Sequence, residues 1–285
     1  RRDAQESRGL GDVYKRQMLS HYWNVNDKTS VNTNVLYQMG TIGNSRLGYT
    51  ASNPDPTYYQ KLPSYNLRYP GSENYEAALV QTQTFLNDEP ASQILWDDLY
   101  DANLTAGGDD AVYYLYEDVN EDVTIAANSV ISTQINENII LNGSLLYKKT
   151  ASENYARMMD LLGASYFTDL DRYASSVDGE NQNDLNSPNH QVQVDERFNY
   201  NYLIDATQID AFAQGQFSYD KIDFYLAGNY GQTSYQRDGL FRNGNYADNS
   251  YGKGEKQNFP TFGAKAGLTY KISGRHLINF NGGYM

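Results

Sequence analysis

The sequence predicts an all-β protein: an antiparallel up-and-down transmembrane β-barrel fragment. It would have about eight strands in four hairpins, with long extracellular loops and short periplasmic turns. Three observations carry this expectation. Residues alternate strictly between apolar and polar over stretches of nine or more, which is the period-two signature of a strand with two unlike faces. Short turns alternate with very long connections along the chain. The composition is rich in tyrosine (27) and glycine (23) but only 20% charged, which suits twisted sheet better than helix.

The clearest hairpin lies near the C-terminal end. Phe262, Ala264, Ala266, Leu268, Tyr270 and Ile272 alternate with Thr261, Gly263, Lys265, Gly267, Thr269 and Lys271. The Ser273-Gly274-Arg275 turn then leads into His276, Ile278, Phe280 and Tyr284. The same unit recurs at Ile209–Tyr219 with Ile222–Tyr230, joined at Asp220-Lys221, and at Val123–Ile135 with Ile139–Tyr147, joined at Glu137-Asn138. Residues 19–26 and 31–49, joined through 27–30, form the least regular of the four.

Between hairpins lie connections over roughly 50–121, 154–204 and 237–260. Loops beyond about 15 residues are uncommon in soluble domains, whereas outer-membrane barrels place short turns on one side and long loops on the other. The strands, at 10–15 residues, reach the 9–11 required for a tilted bilayer crossing. Tyr219, Tyr270 and the Tyr22-Trp23 pair sit just before short turns, where an interfacial aromatic girdle belongs. Mean hydropathy is −0.70 and no run of 18 apolar residues occurs, which excludes a transmembrane helix but not a barrel. Within the loops, helical spacing of apolar residues predicts short helices at Tyr75–Leu86, Ile94–Leu104 and Tyr155–Tyr173.

Charge is concentrated in the loops. Residues 50–121 carry 13 Asp/Glu against two Lys/Arg, and 154–204 carry eight against three, so these two loops hold more negative charge than the whole chain's −13. A nucleic-acid partner is disfavoured by such acidity. No cysteine is present, and His21, His190 and His276 are too scattered for a zinc set.

No catalytic constellation emerges, and the chain is not expected to be an enzyme. G-x-S-x-G, H-E-x-x-H and phosphate-cradling glycine motifs are all missing. The carboxylate pairs Asp97-Asp98, Asp109-Asp110, Glu117-Asp118 and Glu121-Asp122 sit in polar surroundings that give no sign of a raised pKa. Asp97, Asp98, Asp101, Asp109 and Asp110 are candidate ligands for a structural Ca²⁺, since that ion takes six to eight oxygens from flexible loops; a solvated acidic loop is the plainer alternative. Tyr58, Tyr59, Trp96, Tyr113 and Tyr114 are candidate ligand-binding aromatics, against the alternative that they pack the loops. Lys265 and Lys271 either line a pathway or sit in water.

Several segments resemble a known family. Asn53-Pro-Asp-Pro-Thr-Tyr-Tyr-Gln-Lys-Leu-Pro-Ser-Tyr65 is similar to the extracellular segment after an early strand in Bacteroidetes TonB-dependent receptors. Met159-Asp-Leu-Leu-Gly163, with Asp169-Leu-Asp171 and Asp184-Leu-Asn186 downstream, is a second match. Gly252-Lys-Gly-Glu-Lys-Gln257, followed by Phe262–Tyr270 and Gly274-Arg-His276, is a third. The resemblance covers roughly 18–285 and implies part of a large barrel of about 22 strands. Neither the family's N-terminal plug nor its energy-coupling box is seen in this sequence. Residues 1–17 stand apart and resemble translated sequencing-adapter read-through, so the expected partition is a non-native segment (1–17) and a partial barrel (18–285).

The resemblance further implies active import of a nutrient (siderophore, oligosaccharide, cobalamin or peptide) across the bacterial outer membrane. Implied partners are outer-membrane lipid, an inner-membrane energising complex reached through the N-terminal region, and a surface lipoprotein. The alternatives are a passive barrel or porin, and a surface-exposed structural β-protein.

Overall fold

The computed structural model describes residues 15–105 and 109–285. Eleven strands and three α-helices occur among them. In chain order these are β1 (Lys15–Asn26), β2 (Thr29–Tyr49), α1 (Pro63–Asn66), α2 (Tyr75–Asn87), α3 (Trp96–Thr105), β3 (Tyr113–Asn136), β4 (Ile139–Asp160), β5 (Phe167–Thr168), β6 (Gln191–Val192), β7 (Arg197–Ser218), β8 (Ile222–Gly239), β9 (Gly252–Lys253), β10 (Gln257–Ser273) and β11 (His276–Tyr284). The expected all-β, up-and-down architecture is present. Eight long strands follow one another in the order β1-β2-β3-β4-β7-β8-β10-β11, with β9 added beside β8. Among the described residues this path is not closed into a ring. Among the described residues no helix is long and apolar enough to cross a membrane.

All four expected hairpins are formed, each by a turn of two or three residues. The strands run further into the loops than the sequence pattern suggested. β3 begins at Tyr113 instead of Val123, β4 continues to Asp160, and β7 starts at Arg197. The helix expected over Tyr155–Tyr173 is therefore a misreading, because residues to Asp160 are strand. Tyr155, Ala156 and Met158 are all buried there. With both faces of the strand covered, alternation disappears and an apolar run mimics helical spacing. The two other helices form where expected. Asn74 caps α2, its Oδ1 accepting the Ala77 N–H. Of the segment 1–17, residues 1–14 lie outside the described residues, while Lys15–Gln17 pair with Met39–Tyr37 in β1.

The chain divides into two compact units. One holds residues 44–118 and 156–199, which comprise the two long acidic loops and the strand ends that flank them. Its core is Leu99, Tyr113 and Leu162, packed round by Leu47, Ile94, Trp96, Ala102, Val112 and Leu115. Asn103 of α3 is 2% exposed and makes five hydrogen bonds. Its Nδ2 donates to the carbonyls of Tyr113, Leu161 and Leu162, and its Oδ1 accepts from the amides of Val112 and Tyr113. Leu162 has a left-handed φ of 48°, a conformation costly for a residue with a branched side chain. Asn103 holds that residue where β4 ends.

The second unit holds the remaining strand residues, including 119–155 and 200–285. Its register puts one kind of residue on each face. Ala211, Tyr230 and Phe262 are level with one another across β7, β8 and β10, as are Phe217, Phe224 and Leu268, with Phe280 following on β11. Hydroxyl pairs place Thr33 of β2 on the same face as Ser129 of β3, and Thr29 with Thr133. The face with Ile125, Ile131, Leu141 and Leu145 is thereby continuous with that of Val31 and Val35. Leu19, Val35, Ile125, Leu145, Leu226, Phe262 and Phe280 on this face are all 44% or more exposed.

The opposite face is polar. Gln216, Tyr225, Gly267 and Asn281 form one row across four strands, and Ser218, Asp223, Thr269 and Asn279 the next. Gly267 is required in its row, since a Cβ there would occupy the space of the Tyr225 ring and the Asn281 amide. Lys265 and Lys271 lie on this face, and Lys271 Nζ is 2.7 Å from Asp223 Oδ1. Trp23 and Tyr270 are on the apolar face near the turns as expected, but Tyr22 is on the polar one, because adjacent strand residues point oppositely.

Candidate functional site

The loop unit contains a concavity of about 520 Å³, within the range of small-ligand sites. Its floor is aromatic. The rings of Tyr114 and Phe167 are 4.2 Å apart, and Phe198 stands edge-on to both at 5.8 and 5.7 Å. Tyr116 extends the cluster, 5.6 Å from Phe198. These rings converge because β3 carries Tyr114 and Tyr116, the short β5–β6 ladder carries Phe167, and β7 begins beside Phe198. Gly48 of β2 makes the room, since a Cβ at that position would fall inside the Tyr114 ring.

The rim is charged and polar. Asp169, Asp171, Arg172 and Asn183 line it. Asp169 is only 4% exposed. Its carboxylate accepts from Asn183 Nδ2 at 2.7 Å and from the Asn199 amide at 3.0 Å. Asn199 adopts φ of 64°, a left-handed geometry that asparagine tolerates and that aims its N–H at the carboxylate. Asp171 Oδ1 accepts the Tyr173 amide. The Arg172 guanidinium lies 3.6 Å from Asp110, which also accepts the Thr168 amide.

Burial pushes the Asp169 carboxyl above the ordinary carboxylate range. The amide donors of Asn183 and Asn199 and the nearby His190 pull it partly back, while Asp184 pushes it further up. Asp171 and Arg172, on its own segment, line the same rim. The folded state thus binds this proton more tightly than the unfolded chain. The associated stability is present below the unfolded carboxylate value and is lost as pH rises through the raised one. Thermal unfolding of the wild type against Asp169→Asn checks this. The difference should move in favour of the wild type as pH is lowered from 7 toward 4. Movement the other way would mean that the hydrogen bonds outweigh desolvation.

The five aromatic candidates part company here. Tyr114 lines the concavity. Tyr113 is buried, its hydroxyl donating to the Ser52 carbonyl at 3.0 Å, and Trp96 packs against the same core. Tyr58 and Tyr59 stack edge to face at 4.8 Å in a separate group with Tyr65. The carboxylates proposed for Ca²⁺ are also separated by role. Asp97 and Asp98 open α3, and Asp101 follows on it. Asp109 accepts Ser165 Oγ at 2.9 Å, and Asp110 turns to Thr168 and Arg172. Among the described residues no three of His, Cys, Asp or Glu gather closely enough to hold a metal ion. Asp169, Asn183 and Phe198 escaped the sequence reading. The only local signal was the Asp169-Leu-Asp171 triplet.

No family model matches the chain, and comparison with curated proteins gives no match. Among solved structures, the open form of the ferric-catecholate import receptor Fiu from E. coli K12 is distantly similar. The likeness covers 94% of this chain at 9% identity and a TM-score of 0.26. The chain spans about half the length of that receptor, 52%.

Proposed function

We propose that this chain is a wall segment of an outer-membrane importer of the TonB-dependent, Bacteroidetes-like kind, and that the loop unit captures its nutrient ligand. One observation carries the reading. A single exposed apolar face runs across all eight long strands and ends at a common level on neighbouring ones. On β8 it extends over the nine residues from Ile222 to Tyr230, then gives way to Gln232 and Ser234. Ser234 is level with Thr207 of β7 and Asn258 of β10, both polar. Nine residues match the span of a tilted strand crossing a bilayer. Water does not stabilise so large an apolar surface, and lipid does.

Active import over passive diffusion is supported by the size of the loop unit, which has its own core and a ligand-sized concavity, and by the family resemblance of its segments. In this reading an inner-membrane complex supplies energy, and a surface lipoprotein is a further partner. In the same reading residues 18–285 are barrel wall and 1–17 derive from a foreign segment, the last three residues of which, Lys15–Gln17, extend the first strand. Substrate passes when the ligand shifts the balance between two receptor conformations, which requires differential affinity for them.

The test is uptake in cells that carry the gene, using labelled siderophores, cobalamin, oligosaccharides and peptides. Accumulation of one of them should collapse when an uncoupler dissipates the proton-motive force. Uptake that continues unchanged would leave a passive barrel.

A further inference from the structure

The rim and floor of the concavity in the loop unit have a chemistry that narrows the ligand, granted the reading of this concavity as a ligand site. Its most buried charge is the Asp169 carboxylate, whose hydrogen bonds among the described residues come from neutral donors, the Asn183 amide and the Asn199 N–H, with His190 nearby. A buried carboxylate without a cation is costly. A second carboxylate, Asp171, lines the same space. Among the described residues that line it, the cation Arg172 is already turned toward Asp110.

Around these carboxylates stand the π-systems of Tyr114, Tyr116, Phe167 and Phe198. Aromatic rings attract cations through their negative faces, most strongly where water is thin. The surrounding field has the same sign. Residues 44–118 and 156–199 carry twenty Asp/Glu against six Lys/Arg, and a concave acidic surface concentrates cations from solution.

We infer that this concavity binds an organic cation, an alkylammonium head group held by Asp169 against the Tyr114–Phe167–Phe198 cluster. The aromatic rings take the methyl or methylene groups, and the carboxylates take the charge. A neutral ligand of the same shape lacks the second of these and binds less well. An anionic ligand would meet Asp169 and Asp171 directly and is disfavoured.

The experiment uses the full chain refolded in detergent micelles, with choline and its neutral isostere 3,3-dimethylbutan-1-ol as probes. Binding is followed by saturation-transfer NMR and titration calorimetry. Choline should bind, and the isostere at least about tenfold more weakly. Asp169→Asn should reduce choline affinity about tenfold while leaving the isostere unchanged. Tyr114→Leu keeps apolar volume but removes the ring face, and should weaken choline several-fold. Equal binding of the two probes, no binding of choline, or full retention of choline by a folded Asp169→Asn chain would each overturn the inference. The two-probe comparison on the wild type decides the matter even where a variant fails to fold. None of these outcomes bears on energy-dependent uptake, and a passive barrel with choline in this concavity would overturn only the import reading.

Discussion

Asn103→Leu is expected to unfold the loop unit. The leucine keeps the branching of the asparagine side chain, although its methyl groups are bulkier, and it carries no hydrogen-bonding group. What changes is that the amides of Val112 and Tyr113 lose their acceptor, and the carbonyls of Tyr113, Leu161 and Leu162 lose a donor. Each buried group left unpaired costs about 1–3 kcal/mol, and even partial recovery by rearrangement leaves a loss above about 4 kcal/mol. The left-handed Leu162 would also lose the contact that holds it. Amide hydrogen exchange at Val112 and Tyr113 reads this directly. Protection there should vanish in the variant while exchange within 200–285 stays as in the wild type. Unchanged protection at Tyr113 would show that the five bonds are replaceable.

Leu226→Arg tests the apolar face. Leu226 is 57% exposed at the middle of the apolar stretch Ile222–Tyr230, level with Gly215 on β7 and Ala266 on β10. In a bilayer the arginine replaces lipid contact at depth, at a cost of about 2–4 kcal/mol near the midplane. Gln216→Arg, one row away on the opposite face beside Tyr225, should cost no more than about 0.5 kcal/mol. Denaturant unfolding of the two variants in phospholipid vesicles measures both. Equal effects would mean that the apolar face is not lipid-facing.

The sheet was legible because its information is local. Strands such as Ile209–Phe217 and Phe262–Ile272 state their own period, and two-residue turns such as Glu137-Asn138 fix which strand pairs with which. The strand ends within the loop unit were not legible, because there the alternation is broken by partners far along the chain. Glu117 reads as part of an acidic loop, yet it is buried in β3 and its Oε1 lies 2.8 Å from Arg157 Nε. Asp118 similarly pairs with Arg46. The site failed for the same reason. Tyr113 and Tyr114 are equivalent in the sequence, and only the strand's two-sidedness sends one to the core and the other to the concavity. Asp169 gains its character from Asn183 and Asn199, 14 and 30 residues away.

The strand order, in which each long strand lies beside its sequence neighbours, bears on how the protein assembles. Every hairpin can close from a two- or three-residue turn within microseconds, without waiting for distant chain segments. The slow steps are the docking of one hairpin on the next across residues 50–112, 161–196 and 240–256. Closing a connection of some sixty residues instead of two costs only about 3 kcal/mol of chain entropy, because the penalty grows with the logarithm of length. The large loops are thus a mild kinetic burden. They can hold a core and a concave surface of their own, while the strands between them remain paired in simple succession.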